Sequence, residues 1–199
     1  MSPYGKTRGE LSNELKYGDA VTLQNGFANW TGGYLEVNRP GKPSGSVYGV
    51  DTDSTATRDA LSGTWKIASA SGKADGATVT SGDLVFLVSQ YNISTPTYLD
   101  VSTGAGYSSG KYGVSTAAKQ NRDGYSGEWF LFAETSSSPD GAIRAGDVVH
   151  ILSNYGTANG GRLETMGPAP APATGLHGVY TNDYSNRDNG SGSWRFAQA

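Results

Sequence analysis

The sequence has no cysteine, only two histidines, little charge and no long apolar run. Without cysteine there is no disulfide, no thiol nucleophile and no thiolate-ligated metal. His150 and His177 are too few for a multi-histidine metal centre, and no cofactor is expected. No apolar stretch approaches the ~20 residues of a membrane-spanning helix, so membrane insertion is not expected. The segment Met1–Lys16 has no apolar stretch of the secretory kind, which favours a cytosolic or non-classically released protein. Fifteen Lys+Arg against eighteen Asp+Glu give a formal charge of −3, and charged residues make up 17% of the chain. A general electrostatic grip on nucleic acid therefore has no basis. What is abundant is glycine, with 29 residues, and tyrosine, with 12.

The chain repeats itself three times. Gly18-Asp19, Gly82-Asp83 and Gly146-Asp147 are spaced by 64 residues, as are Leu35-Glu36, Leu99-Asp100 and Leu163-Glu164. Arg58-Asp59, Arg122-Asp123 and Arg187-Asp188 follow at 64 and 65, and each copy closes on a tryptophan, Trp65, Trp129 or Trp194. This register gives a leader over residues 1–14 and a single domain over 15–199, in repeats 15–78, 79–142 and 143–199. Inside each copy apolar residues alternate with polar ones, as in Val21/Leu23, Leu35/Val37 and Trp65/Ile67. Period two means strand, and Gly/Ser/Asn/Asp/Pro clusters punctuate four short strands per copy.

Three four-stranded units without a long helix resemble the β-trefoil, an all-β fold with a six-stranded barrel capped by three hairpins. A three-bladed propeller-like array is the less economical alternative, since propellers typically have at least ~4 blades. The opening Gly18-Asp19-Ala20-Val21-Thr22-Leu23 followed by Tyr34-Leu35-Glu36-Val37 is similar to MIR and fascin-type units. The closing tryptophans resemble those of ricin-B-type lectin units, which end in Gln-x-Trp. Here that glutamine is Gly63, Gly127 and Gly192, so a ricin-type galactose site does not carry over.

Residues present in every copy first serve the scaffold. Trp65, Trp129 and Trp194 alternate with apolar neighbours and belong in the core. Glu36, Asp100 and Glu164 on the second strand, with Arg58, Arg122 and Arg187 before the fourth, offer one carboxylate and one guanidinium per copy. A salt bridge within each unit is the favoured use, and a threefold sugar site the alternative. Residues that break the repeat are better candidates for specific function. Trp30, beside Asn29, stands where the other copies have Ser94 and Ala158. A flat ring flanked by amides suits a sugar face or a protein contact, or else plugs an end of the barrel. Tyr48, Tyr112 and His177 hold matching places and could form three related platforms, while Phe27, Tyr91 and Tyr155 read as packing.

Catalytic patterns fail on context. Gly106–Gly110 matches G-x-S-x-G but has no helix after it. Asp51-Thr52-Asp53 opens like a calcium loop yet lacks the mid-loop glycine and the closing glutamate. The run Pro168–Ala173 is expected to be stiff and extended. A non-catalytic lectin-like protein with up to three related glycan sites is the leading expectation. A protein-binding module, such as a protease inhibitor, a cross-linker or a toxin targeting part, is the alternative.

Overall fold

The computed structural model describes residues 13–40, 45–102, 110–135, 139–169 and 174–199. The leader up to residue 12, most of the G-x-S-x-G match and residues 170–173 of the Pro-Ala run lie outside them. The described residues form twelve strands: β1 (Ala20–Asn25), β2 (Tyr34–Pro40), β3 (Ser46–Asp53), β4 (Trp65–Ser69), β5 (Leu84–Ser89), β6 (Thr97–Ser102), β7 (Gly113–Ala117), β8 (Trp129–Ala133), β9 (Val148–Ser153), β10 (Arg162–Pro168), β11 (His177–Asn182) and β12 (Trp194–Gln198). Helix is confined to two single turns, α1 (Phe27–Trp30) and α2 (Tyr155–Ala158).

The all-β class holds, but the expected trefoil partition does not. All twelve strands join one hydrogen-bonded sheet, which closes on itself round ten strands in the order β11-β3-β2-β1-β12-β9-β8-β5-β6-β7. The hairpins β2–β3, β6–β7 and β10–β11 are not separate caps on a six-stranded barrel. Their inner strands bond to one another, β3 to β7, β7 to β11 and β11 to β3, and so belong to the same sheet. Nor does any four-stranded unit stand alone, because β4 pairs with β5, β8 with β9 and β12 with β1 across the repeat boundaries. The physical reason is that a short strand with an unpaired edge leaves backbone donors and acceptors unsatisfied. Period-two patterning shows which face a strand buries and says nothing about which edge meets which.

The alternation of each strand places one file of side chains inside the closed sheet. Val21, Leu23, Trp65, Ile67, Leu87, Trp129, Leu131, Ile151 and Trp194 are fully or almost fully buried there. Each core indole also makes the same polar contact. The Nε1–H of Trp65, Trp129 and Trp194 donates at 2.9 Å to the carbonyl of Leu35, Leu99 and Leu163 respectively. One end is closed by Leu15, Val79 and Ile143, 64 residues apart and wholly buried. Their amides form a ring: Leu15 donates to Ile143, Ile143 to Val79 and Val79 to Leu15, each at 2.9 Å.

Replacing Trp129 with alanine removes a fully buried indole and leaves a cavity, so it should cost roughly 3–5 kcal/mol. Denaturant unfolding checks this: an unchanged midpoint would show that the ring does not fill the core.

Candidate functional site

In each repeat a carboxylate on the second strand, β2, β6 or β10, meets the arginine of the loop before the fourth strand. Arg58 Nε lies 3.0 Å from Glu36, Arg122 Nη2 lies 2.8 Å from Asp100, and Arg187 Nε lies 3.0 Å from Glu164. A serine hydroxyl from the same loop donates to each acid, Ser62 at 3.0 Å, Ser126 at 2.6 Å and Ser191 at 3.1 Å. The three carboxylates have no exposed surface, whereas the arginine side chains keep 20–30% of theirs. This corrects the threefold sugar-site alternative for Glu36, Asp100 and Glu164. Their oxygens are turned inward to the loop and no sugar hydroxyl can reach them. Burial raises the carboxyls of Glu36 and Glu164 above the ordinary range and lifts Asp100 to about 6, against the opposing pull of serine and arginine.

The first repeat departs from this pattern. Glu36 and Asp51 are direct cross-strand partners on β2 and β3, and both are buried. In the other repeats Asp51 is replaced by Ser115 and Tyr180. Asp51 Oδ2 accepts from Asn38 Nδ2 at 2.8 Å, while Glu36 Oε1 and Asp51 Oδ1 find no other protein donor. Two buried acids side by side cannot both ionise cheaply. Burial lifts the Asp51 carboxyl to about 7 over the opposing Asn38 bond, and the Glu36 charge adds to the rise. One proton shared by the two acids would satisfy both orphaned oxygens. The loop before β11 closes over this pair at Gly175, where a Cβ would stand 2.5 Å from the Asp51 carboxyl. Residue 175 therefore has to lack a side chain.

The groups that hold the acid pair also face outward into a cleft. Asn38 and Arg58, together with Val37, Tyr48, Asp59, Ser62 and Tyr91, line an open cavity of about 320 Å³ at the boundary of the first and second repeats. The rings of Tyr48 and Tyr91 meet edge to face at 5.3 Å. The same contact recurs at the other two boundaries, as Tyr112 with Tyr155 at 5.3 Å and His177 with Phe27 at 5.3 Å. The two aromatic triplets of the sequence are thus one set of three pairs, each joining neighbouring repeats. All six rings are half-buried.

Asn29 is exposed and Trp30 half-buried at the end of α1. The indole does not plug the barrel. It lies on the outer wall, with the Arg195 guanidinium of β12 stacked 3.5 Å over its ring. Asn38, Asp51 and Arg195 are absent from the sequence-derived set. All three break the repeat, which is the criterion that singled out Trp30, so comparing the copies position by position finds them. Among the described residues no group of three or more acidic or histidine side chains could hold a metal ion.

No family model and no curated protein sequence matches this chain. Solved structures do. An SDF2-like protein from Arabidopsis thaliana is similar at a TM-score of 0.71 and 18% identity, covering 92% of this chain and 94% of that one. Part of the Saccharomyces cerevisiae protein O-mannosyltransferase Pmt1-Pmt2 complex matches at 0.65 and 18%, over 94% of this chain and 25% of that one. The receptor binding domain of botulinum neurotoxin D matches at 0.60 and 15%, over 96% of this chain and 45% of that one. At these identities the likeness is one of fold.

Two measurements follow. Arg122→Ala should destabilise the protein by about 3 kcal/mol, because Asp100 is then left buried without its counter-charge. An unchanged unfolding midpoint would show the pair to be ornamental. The second concerns pH. The native state holds the Asp51 proton up to about 7, whereas an unfolded aspartate releases it near ~3.9. The native state therefore binds more protons between those values, and stability falls as pH rises through that window. Asp51→Asn should flatten this fall and be more stable than wild type at pH 8, with the Asp100 contribution remaining. Parallel stability curves for the two proteins would exclude the shared proton.

Proposed function

We propose that the protein is a non-catalytic carbohydrate-binding module whose principal glycan site is the cleft between Tyr48 and Tyr91. The observation that carries this reading is the composition of the cleft: two tyrosine rings beside an amide, a guanidinium, a carboxylate and a hydroxyl, all opening on one cavity. Sugar rings present apolar C–H faces and a fringe of hydroxyls, which such a mixture suits. Asn38 and Arg58 are held from beneath by Asp51 and Glu36, so they meet a ligand already oriented. The pairs Tyr112–Tyr155 and His177–Phe27 supply related positions at the other boundaries. Up to three sites, each weak, would gain avidity on clustered ligands. The three repeated acids are tied to serine and arginine, so none of them is free to act as an acid or base.

A protein partner is the second reading. It is favoured by large apolar side chains standing singly on the loops, Leu61, Ile93, Tyr125 and Tyr184, between 49% and 69% exposed. The solved structures of similar fold include a domain described as receptor binding, which accords with either class of ligand.

A glycan array probed with wild type and with Tyr91→Ala separates the readings. The expected result is binding that free sugar competes away and that the variant weakens about tenfold or more, the loss of one stacked ring. An array without signal, or one on which the variant binds as wild type does, would refute this site.

A further inference from the structure

Arg195 is an arginine without an acceptor. Arg58, Arg122, Arg144, Arg162 and Arg187 each donate to a carboxylate or carbonyl oxygen of the protein. Among the described residues the Arg195 side chain donates to none, and its Nε is buried with no partner. Its guanidinium carbon instead stands over the Trp30 ring, 3.5 Å from the ring centre. The cation–π contact holds the guanidinium against the ring and leaves its terminal N–H groups free to donate. In a chain of net charge −3 this is a half-buried cation with no acidic side chain paired to it among the described residues.

Neither member is required by the fold. The outward position held by Arg195 is Lys66 in the first repeat, where it pairs with Asp75 at 2.9 Å, and Phe130 in the second. The turn carrying Trp30 runs through three successive left-handed residues, Ala28, Asn29 and Trp30, at φ 49°, 62° and 68°. The third repeat makes the same turn with Gly156, Thr157 and Ala158, at φ 60°, 61° and 71°, and no indole. Gln24, the cross-strand partner of Arg195, donates at 2.9 Å to the Trp30 carbonyl and ties the turn to the wall. Strain that recurs with a small residue at its end does not explain a tryptophan there.

We infer that the Arg195 fork, laid on Trp30 beside the exposed Asn29, is a binding site for an oxyanion, a carboxylate or sulfate group carried by a ligand. A planar guanidinium meets such a group through two parallel N–H···O bonds, and the exposed Asn29, next to Trp30 in the turn, offers an amide beside it. That the oxyanion sits on a sugar rests on the glycan reading above; the oxyanion site itself does not.

Tryptophan fluorescence tests this, because Trp65, Trp129 and Trp194 are fully buried and Trp30 is not. The probes are glucuronate, glucose 6-sulfate, uncharged glucose and acetate, at low ionic strength. The expected result is a saturable change with at least one charged sugar and none with glucose. The change should be absent in Trp30→Phe and weakened about tenfold or more in Arg195→Gln, with the unfolding midpoint of Arg195→Gln retained. Whichever charged sugar saturates at lower concentration names the group. No saturable change with either one, a response kept in Arg195→Gln, or an equal response to glucose would each overturn the site. A response to acetate equal to that of glucuronate keeps the oxyanion site and removes the sugar from it, so failure of the glycan reading is read separately.

Discussion

The structure depends on a carboxylate buried three times. Glu36, Asp100 and Glu164 each leave water completely, which is costly for an ionised group. Each is compensated by a serine hydroxyl and an arginine from the loop that leads into the last strand of its repeat. Two further bonds reach the same hairpin. The amide of the residue after each acid, Val37, Val101 or Thr165, donates to the carbonyl of that serine. The core indole donates to the carbonyl of the residue before the acid. Removing the acid therefore loosens a loop, a hairpin strand and a core ring together. Its conservation in all three copies is a packing requirement, and its raised pKa in every copy shows that desolvation outweighs the compensating bonds.

The cleft is a consequence of that pin. Arg58 reaches the cavity wall because Glu36 holds its Nε, and Asn38 reaches it because Asp51 takes its amide. The acid that adds nothing to the repeated pin, Asp51, is the one that turns a structural contact into a positioned polar surface. A shared proton would offset its cost, and the same pair that orients the cleft would then make the first repeat sensitive to pH.

Much of this was legible in the sequence. The 64-residue spacing located the strands, the core tryptophans and the partners Arg58, Arg122 and Arg187 of the buried acids, since a residue kept in three copies meets one geometry three times. Sheet closure was not legible. Hydrogen bonding between β3, β7 and β11 joins backbones of distant residues, and alternation carries no record of it. The aromatic pairs were hidden for a related reason: Tyr48 and Tyr91 belong to different repeats, and each triplet viewed alone looks self-sufficient. Asp51 was visible but misdirected attention to calcium, because spacing along the chain cannot show that its partner is Glu36 across the hairpin. Trp30 was found by its failure to repeat, whereas what covers its ring depends on β12 lying beside β1, a pairing between the two ends of the chain.

The repeat also limits how symmetrical binding can be. Positions that serve the fold are kept three times, but those around the proposed cleft have diverged at every boundary. Where the first repeat has Asn38 and Asp51, the second has Ser102 and Ser115 and the third Met166 and Tyr180. The edge-to-face aromatic contact persists, so an apolar platform is common to all three boundaries, but the polar groups that select a ligand are not. Three equal sites would need three equal sets of donors and acceptors. The chain supplies a furnished cleft at the first boundary and an aromatic pair with different polar neighbours at each of the others. Avidity from this scaffold would come from unequal contacts made to one branched or clustered ligand, with the first boundary setting orientation and the others adding area.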